Sequence, residues 1–348
     1  MSVVGNWPLA RRAAQVLAVP VRDFDVAGAT TEVGDGAGAL LFLGNATPPA
    51  DLARRLHALM RHAPGVRPLV MADEEGGGVQ RLAGLVGPIP WARTMAQTMT
   101  VTQTRALAEA RARQMIAAGV GTDLAPVLDV DGRPGPSSTN ADGQRSFSAD
   151  PATAAAYGTA FMLGLRAGGV LPVVKHFPGL GGAQRNTDVG PASTNPLPTL
   201  RVRDLVPFRA AIAAGAPAVM TSNASVPGLT PLPASLSHAV IGGLLHDELG
   251  FRGLVITDSL SASAVTAVTP SLADATVRSL AAGADLVLFG STLTPADELA
   301  LQPSRVLATY RSVVAAIAAA ARSGRLASRR LDDAVVHVLA AKHDDPCR

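Results

Sequence analysis

The chain has 348 residues, of which 48% are hydrophobic and 16% are charged, so it can bury a large core in one large domain or two modest ones. Its formal net charge is +3, and no run of Lys and Arg is interleaved with aromatic residues, which argues against a nucleic-acid-binding protein. No apolar run approaches the roughly 20 residues that a membrane-spanning helix needs, which argues against a membrane span.

The two ends of the chain leave the compartment open. Residues 1–21 lack the charged head, apolar centre and small-residue cleavage site of a signal peptide. A cytoplasmic protein and a secreted protein already trimmed of its signal therefore fit equally well. Cys347 is the only cysteine, so we expect neither an internal disulfide nor a cysteine-based metal site.

Short apolar segments alternate with longer segments rich in Ala, Leu and Arg, a pattern typical of parallel strands and helices. The predicted strands are residues 15–21, 39–44, 68–73, 121–130, 171–176, 217–223, 253–259 and 284–290. The predicted helices are residues 48–62, 102–118, 151–167, 200–214, 235–249, 271–282, 303–321 and 330–342. Gly119, Gly215 and Gly283 each follow a helix and precede a strand, as capping glycines do. This rhythm and length predict a single-domain α/β fold, the (β/α)8 TIM barrel.

Polar residues stand at the carboxyl ends of several predicted strands. In a TIM barrel, the loops after these ends build the active site, and a polar side chain buried there alone would cost several kcal/mol. An Asp or Asn at such a position can instead cap the next helix, but a Lys-His pair makes a poor cap. We therefore expect the following residues to converge and to satisfy one another or a polar ligand: Asp73, Asp123, Lys175 with His176, Asn223 and Asp258.

Two acids indicate a reaction type. Asp258 follows a strand, which would hold it rigidly, whereas Asp188 lies in the glycine-rich loop 179–190. A fixed acid facing a movable one is the arrangement of a retaining glycosidase, in which one carboxylate attacks the anomeric carbon and the other donates and then accepts a proton. The sugar hydroxyls would then be bound by Asp73, Arg81, Lys175 and His176.

Aromatic residues make up only 3% of the chain. Enzymes that grip long glycans usually stack them on several exposed rings, so a small pocket for a terminal sugar is the expected site. The sequence therefore predicts an exo-acting enzyme whose partner is a small carbohydrate, and the mechanism requires no metal and no organic cofactor.

Four motifs identify a family resemblance. KHFPGLG (175–181), MADEEGGGVQRL (71–82), QRSFSADP (144–151) and FRGLVITDSLSASAV (251–265) resemble, in order and spacing, the motifs of family 3 glycoside hydrolases. The resemblance spans about residues 10–343 and is strongest to the single-barrel branch that includes the bacterial β-N-acetylglucosaminidases. It implies that residues 1–348 are one N-terminal-type TIM-barrel domain, a monomer or a weak homo-oligomer, that acts in cell-wall recycling.

The same resemblance implies roles for individual residues. The acid of the TDS segment is the nucleophile in that family, which falls on Asp258, and the acid of the ADEEGG segment binds sugar hydroxyls, which falls on Asp73. By the same matching, the substrate-binding positions are Arg81, Arg145, Lys175 and His176.

The glycine-rich loop departs from the family pattern. The family's acetylglucosaminidases read KHFPGHG, four residues, and then an Asp-Ser-His that carries the acid/base pair. Here Asn186, Thr187 and Asp188 stand at those positions, Leu180 replaces the histidine of KHFPGHG, and Ser259 stands where a second acid often follows the nucleophile. Three interpretations stay open: Asp188 is a substitute acid/base; the chain is a weak or inactive sugar-binding member in which Asp188 only ends a turn; or the site acts on another sugar.

Other functional classes compete with a glycosidase. Lys175 at a strand end could form a Schiff base. His176, Asp73 and Asp258 could bind a metal, but the chain has no His-x-His pair. Residues 129–143 resemble a calcium loop, yet Asn140 stands where that loop needs a glutamate. We therefore expect no metal site.

Overall fold

The computed structural model of the protein describes residues 3–343, so Cys347 lies outside the described residues. Within residues 3–343, eight parallel strands form a TIM barrel, which confirms the predicted fold class. They are β1 (Leu17–Arg22), β2 (Ala39–Leu43), β3 (Leu69–Ala72), β4 (Thr122–Asp123), β5 (Leu171–Phe177), β6 (Ala218–Thr221), β7 (Leu254–Thr257) and β8 (Val287–Leu288).

The barrel closes through neighbouring parallel pairs. Each strand pairs with the next one along the chain as far as β7, and β1 also pairs with β8. A parallel bridge between Ile256 in β7 and Leu286 next to β8 completes the ring. Because all strands run in the same direction, their carboxyl ends meet at one mouth of the barrel.

Alternating strand residues fill the barrel interior and face the outer helices. Met220 and Ile256 pack in the interior cluster, whereas Val219 and Val255 pack with the surrounding helices. Both faces of the strands are therefore buried, and strands of this kind consist of nearly continuous apolar runs. This burial explains why the strands are recognisable in the sequence.

Helices surround the barrel. The α-helices are α1 (Leu9–Gln15), α2 (Thr30–Gly34), α3 (Leu52–Met60), α4 (Ala83–Val86), α5 (Ala92–Thr98), α6 (Val101–Ala117), α7 (Pro151–Ala167), α8 (Leu197–Thr199), α9 (Leu205–Ala213), α10 (Ser263–Thr266), α11 (Leu272–Ala282), α12 (Pro295–Ala300), α13 (Pro303–Ser323) and α14 (Ser328–Ala341). Leu200–Asp204 and Ala239–Glu248 are π-helical, and Val3–Asn6, Val26–Ala29, Gly143–Arg145 and Ala234–Leu236 are 3-10 turns. In the described part of the chain, none of the helices has both the length and the hydropathy to cross a bilayer.

The predicted strands and helices are found, and several differ in extent or type. The predicted strand 284–290 is regular only over Val287–Leu288, and the predicted helix 200–214 begins with the π-helical segment Leu200–Asp204. The predicted strand 121–130 is regular only over Thr122–Asp123, because Pro126 has no N–H to continue the ladder; Val127 then bridges to Lys175. The predicted helix 235–249 is a 3-10 turn followed by a π-helix. Gly119 and Gly215 adopt φ of +84° and +82° after their helices, which confirms their capping role.

Candidate active site

A polar cavity of about 290 Å³ opens at the carboxyl ends of the strands. Its walls come from the turn after β3, the loops after β4 and β5, and the segments after β7 and β8. Apolar side chains, such as those of Leu41, Leu43 and Met220, form its floor and part of its wall. Its charged and ionisable lining residues are Asp73, Glu75, Arg81, Arg145, Lys175, His176, Asp188 and Asp258.

Lys175 is the centre of a buried ion cluster. Its Nζ donates to Asp73 Oδ1 at 2.7 Å and lies 2.6 Å from Glu75 Oε1. Arg145 binds the same Glu75 with both ends of its guanidinium, Nε to Oε2 at 2.7 Å and Nη2 to Oε1 at 2.8 Å. Two parallel charge-assisted bonds fix the plane of the guanidinium. Glu75 therefore holds both cations in place at the side of the cavity.

The charge states of this cluster follow from its contacts. Burial alone would raise the pKa of Glu75, but Arg145 and Lys175 lower it well below its usual range. Burial alone would lower the pKa of Lys175, but Asp73 and Glu75 raise it above its usual value. Both groups are charged at neutral pH, so Lys175 is a cation and not the neutral amine that a Schiff base requires.

His176 is held by Asp129 beneath the cavity. Asp129 Oδ2 accepts from the backbone N–H of His176 at 3.1 Å and lies 2.6 Å from the ring Nδ1. Burial, followed by the charges of Arg145 and Lys175, lowers the pKa of His176 to about 4. A neutral ring that donates through Nδ1 leaves Nε2 as an acceptor facing the cavity, 3.4 Å from Arg145 Nη2.

Asp258 follows β7 and is fixed by its backbone. Its N–H donates to Thr221 O at 2.9 Å, and its Oδ1 accepts from the N–H of Ser259 at 2.7 Å. Burial, and next the charge of Asp188, raises the pKa of Asp258. The carboxyl group is thus rigidly placed and shares its surroundings with a second acid.

Asp188 projects into the cavity from the loop after β5. Its N–H donates to Asn186 Oδ1 at 3.0 Å, so an Asx-type turn presents it. The turn is tied down because the N–H of Ser263 donates to Asp188 O and that of Ala264 donates to Thr187 O. Burial, with Asp297 and Asp73 adding repulsion, raises the pKa of Asp188 although Arg145 opposes the shift.

Two residues expected from strand ends lie outside this cavity lining, within the described chain. Asn223 is 1% exposed; its Nδ2 donates to Ser259 O at 2.7 Å and its Oδ1 accepts from Ser235 Oγ at 2.6 Å. Because both ends of the amide are engaged, Asn223 supports the segment that carries Asp258. Asp123 is fully buried and accepts the N–H of Glu74 at 3.0 Å.

The sequence reasoning missed two acids that organise the site. Glu75 lies two positions after Asp73 in the ADEEGG motif, so a signal for it was present in the sequence. Asp129 lies within the apolar segment 121–130, near its carboxyl end. A charged residue in an otherwise apolar segment was the available signal for it. Both were overlooked because an acid that bonds to other protein side chains looks the same in a sequence as one that contacts a ligand.

The cavity, its paired acids and the barrel invite comparison with known proteins. Residues 13–341 match the model of the glycosyl hydrolase family 3 N-terminal domain. This chain belongs to glycosyl hydrolase family 3. As a family 3 enzyme it is a glycoside hydrolase, of the retaining β-glycosidase type that the motifs indicate.

Similar proteins cover nearly the whole chain. Beta-hexosaminidase LpqI of Mycobacterium tuberculosis is 39% identical over 344 residues, which are 96% of this chain and 82% of that protein. The crystal structure of a family 3 glycosyl hydrolase from Mycobacterium smegmatis has a TM-score of 0.85 at 36% identity, with 97% of this chain and 98% of that chain covered. That of a beta-N-acetylhexosaminidase from Beutenbergia cavernae has a TM-score of 0.85 at 31% identity, with 97% and 99% covered.

Proposed function

We propose that this family 3 enzyme removes terminal β-linked N-acetylhexosamine residues from small carbohydrates, with Asp258 as nucleophile and Asp188 as acid/base. The preference for an acetamido sugar is supported by relatives described as beta-hexosaminidases. The exo mode is supported by a cavity of about 290 Å³, which has room for little more than one sugar ring. We further propose that residues 1–348 act as one domain, as a monomer or weak homo-oligomer.

The observation that carries the proposal is that Asp188 and Asp258 line one cavity, where the charge of Asp188 raises the pKa of Asp258. Two half-buried carboxyl groups that interact in one cavity do not both ionise readily, so the pair holds one proton over a range of pH. One ionised and one protonated carboxyl are the two states that a retaining glycosidase needs at the start of its cycle.

The reaction then follows from these two states. Asp258 attacks the anomeric carbon while Asp188 passes its proton to the leaving oxygen, which gives a covalent glycosyl-enzyme and an ionised Asp188. Asp188 next takes a proton from water as that water attacks the anomeric carbon. Asp258 is released as a carboxylate, and the sugar leaves with its original configuration.

The remaining polar residues are assigned to substrate binding and positioning. Asp73, Arg81, Arg145, Lys175 and His176 present donors and acceptors to the cavity, and we assign them to the sugar hydroxyls. Asn223, which holds Ser259 O, is assigned to positioning the segment of Asp258. The charge of Lys175 favours this assignment over a Schiff-base enzyme.

Nitrophenyl glycosides of several sugars test the reaction and the sugar together. The wild type is expected to turn over the β-N-acetylglucosaminide fastest. Asp258→Ala is expected to abolish turnover of every substrate, whereas Asp188→Ala is expected to slow substrates with poor leaving groups by roughly 10²–10⁴-fold and activated ones far less. Asp274→Asn removes an acid that pairs with Arg325 on the surface and serves as the control that should retain wild-type rates.

Two further measurements identify each carboxyl. A 2-fluoro sugar with a good leaving group should label Asp258, and a label on another residue would refute the assignment. Azide should restore turnover in Asp188→Ala and give a glycosyl azide of retained configuration, because azide needs no general base. Unchanged hydrolysis of poor-leaving-group substrates by Asp188→Ala would instead favour another acid, and sugar binding by the wild type without product would favour an inactive sugar-binding protein.

A further inference from the structure

Three ionisable side chains, those of Asp129, Asp142 and His176, lie close together next to the sugar cavity. The proposed glycosidase mechanism assigns no role to Asp142. Asp129 and Asp142 both lie in the segment between β4 and α7, and His176 lies near the end of β5. One potential ligand atom of each residue lies within 4.8 Å of the others, and all three residues are buried. Asp142 is 0% exposed.

Asp142 lacks the partners that a buried carboxyl group requires. Among the described residues, neither of its oxygens has a hydrogen-bond partner. An isolated carboxylate in such a place is very costly, so buried charges are paired or coordinate metals. The carboxyl group of Asp142 therefore has two unused acceptor atoms next to a second acid.

The nearby cations are already engaged. Arg145 directs Nε and Nη2 to Glu75 and donates through Nη1 to Ala141 O at 3.0 Å. Lys175 contacts Asp73 and Glu75. The two acids of the cluster, Asp129 and Asp142, are therefore left with a neutral imidazole and no hydrogen-bonded cation.

Asp129 is better satisfied than Asp142. Its Oδ1 accepts from Leu180 N–H at 2.6 Å, and its Oδ2 accepts from His176. The backbone N–H groups of Leu180 and His176 hold the Asp129 carboxylate in a fixed position. Such orientation of ligand side chains by neighbouring bonds is typical of protein metal sites. A cation in the cluster would take the place of the proton between Asp129 Oδ2 and His176 Nδ1, and the ring would then carry its proton on Nε2.

We propose that Asp129, Asp142 and His176 form a binding site for one divalent cation that accepts mixed nitrogen and oxygen ligands, such as Zn²⁺ or Mn²⁺. Two carboxylates and a neutral imidazole neutralise a charge of +2. The imidazole ligand favours these ions over Mg²⁺ and Ca²⁺, which select oxygen ligands. This triad differs from the set of His176, Asp73 and Asp258 that the sequence suggests, since it contains two acids behind the cavity wall.

The spacing of the ligands is compatible with such an ion. In a tetrahedral site with bonds of about 2.1 Å, ligand atoms lie about 3.4 Å apart. The observed limit of 4.8 Å therefore requires side-chain movements of less than about 1 Å each. A bound ion would connect the loop after β4 to the end of β5 and would fix the ring of His176, which also lines the sugar cavity.

Metal analysis of the full chain tests the site. After dialysis against a chelator, titration calorimetry with ZnCl₂ and with MnCl₂ is expected to give one site per chain, and MgCl₂ at the same concentration is expected not to compete. The melting temperature should rise with the concentration of the bound ion. Pulsed electron paramagnetic resonance of the Mn²⁺ form should detect one coupled imidazole nitrogen, which requires no variant.

Asp142→Asn keeps the shape of the side chain and removes the charge. Loss of a ligand should weaken binding by at least the 10–100-fold that changes in outer partners typically cost. Asp285→Asn is the control, because Asp285 is also buried but pairs with Arg330 and His337, which lie outside the cluster; it should bind the ion as the wild type does.

Several outcomes would overturn the proposal. Failure of the chelated wild type to bind either ion would mean that a proton, and not a cation, neutralises Asp142. Equal affinity in the wild type and Asp142→Asn, or no nitrogen coupling in the Mn²⁺ form, would place the ion elsewhere. If Asp142→Asn does not fold, the stoichiometry and the nitrogen coupling of the wild type decide the question alone.

Discussion

At the scale of single residues, the site depends on one acid that contacts no proposed reacting atom. Glu75 is 5% exposed and bonds to both Arg145 and Lys175. Without it, Arg145 and Lys175 would lose the carboxylate that lies between them. Glu75 therefore sets the position of Arg145 and Lys175 relative to the cavity through its two ion pairs.

Glu75→Gln is expected to cost about 3–5 kcal/mol of unfolding free energy, because breaking a buried ion pair leaves an uncompensated charge. Urea denaturation measures this change, and the KM of the best nitrophenyl substrate should rise as Arg145 and Lys175 shift. Glu109→Gln is the matched control, since Glu109 pairs with Arg113 on the surface and such pairs contribute about 0–1 kcal/mol. Equal effects of the two substitutions would contradict the role assigned to Glu75.

The pH dependence of catalysis also belongs to single residues. Burial raises the pKa of Asp188 and that of Asp258, and the charge of Asp188 raises the pKa of Asp258 further, so the pair loses its shared proton at a higher pH than an isolated carboxyl would. Activity of the wild type should therefore fall on the alkaline side as that proton is lost. In Asp188→Asn the remaining turnover of an activated substrate should lack this alkaline decrease; a kcat/KM profile in which the decrease persists would assign it to another group.

At the scale of secondary-structure elements, glycine allows two outer helices to approach closely. A Cβ added at Gly164 in α7 would lie 2.3 Å from Arg105 O and 2.8 Å from Ala108 Cβ in α6. A Cβ at Gly168, just after α7, would lie 2.4 Å from Ala112 Cβ. The small residues of both helices therefore set the distance between them.

Gly164→Ala should therefore destabilise the protein by roughly 1–3 kcal/mol, because the added methyl group overpacks the α6–α7 contact. Gly243→Ala is the comparison, since Gly243 lies in the helical segment Ala239–Glu248 and a Cβ there meets nothing within 4 Å. That substitution should be neutral or stabilise by up to about 1 kcal/mol. Thermal unfolding of the two variants side by side checks the sign of each change, and stabilisation by Gly164→Ala would contradict the packing argument.

At the scale of the whole molecule, a buried acid pair makes stability depend on pH. Glu74 and Asp123 lie at the junction of β3 and β4, both fully buried, and burial raises the pKa of Glu74 to about 7 and that of Asp123 well above its usual value. Glu74 Oε2 and Asp123 Oδ2 have no hydrogen-bond partner within residues 3–343. The folded protein therefore retains a proton that the unfolded chain releases near pH 4.5.

The sign of the effect follows from that proton. Stability from a raised carboxyl pKa is complete below the unfolded value and declines as the pH rises towards the folded value of about 7. Over this interval, Glu74 should account for a loss of roughly 3 kcal/mol. Glu74→Gln can still accept the N–H groups of Arg81 and Leu82, which now bond to Glu74 Oε1, and it should flatten the decline. Urea unfolding at pH 5 and pH 7.5 tests this, and equal slopes for variant and wild type would refute it.

The amino-acid sequence by itself determined the barrel and most of the cavity. Strands such as β3 and β7 are apolar on both faces because both faces are buried, and their polar end residues Asp73 and Asp258 therefore stand out. Lys175, His176 and Asp188 were recognisable for the same reason: a charged residue after a buried strand, or in a glycine-rich loop, has few structural explanations.

Only the tertiary structure decided which polar residues satisfy one another. Asn223 and Asp123 are strand-end residues like Asp258, yet their partners are protein groups, Ser259 and Ser235 for the first and Glu74 for the second. The roles of Glu75 and Asp142 could be assigned only once their neighbours were known. Glu75 pairs with both Arg145 and Lys175, whereas neither carboxyl oxygen of Asp142 has a hydrogen-bond partner in the described chain. Strands can be recognised from local sequence because the hydrophobicity of each residue reflects its own burial. The pairing of charges cannot, because the partners are distant in sequence and come together only when the barrel closes.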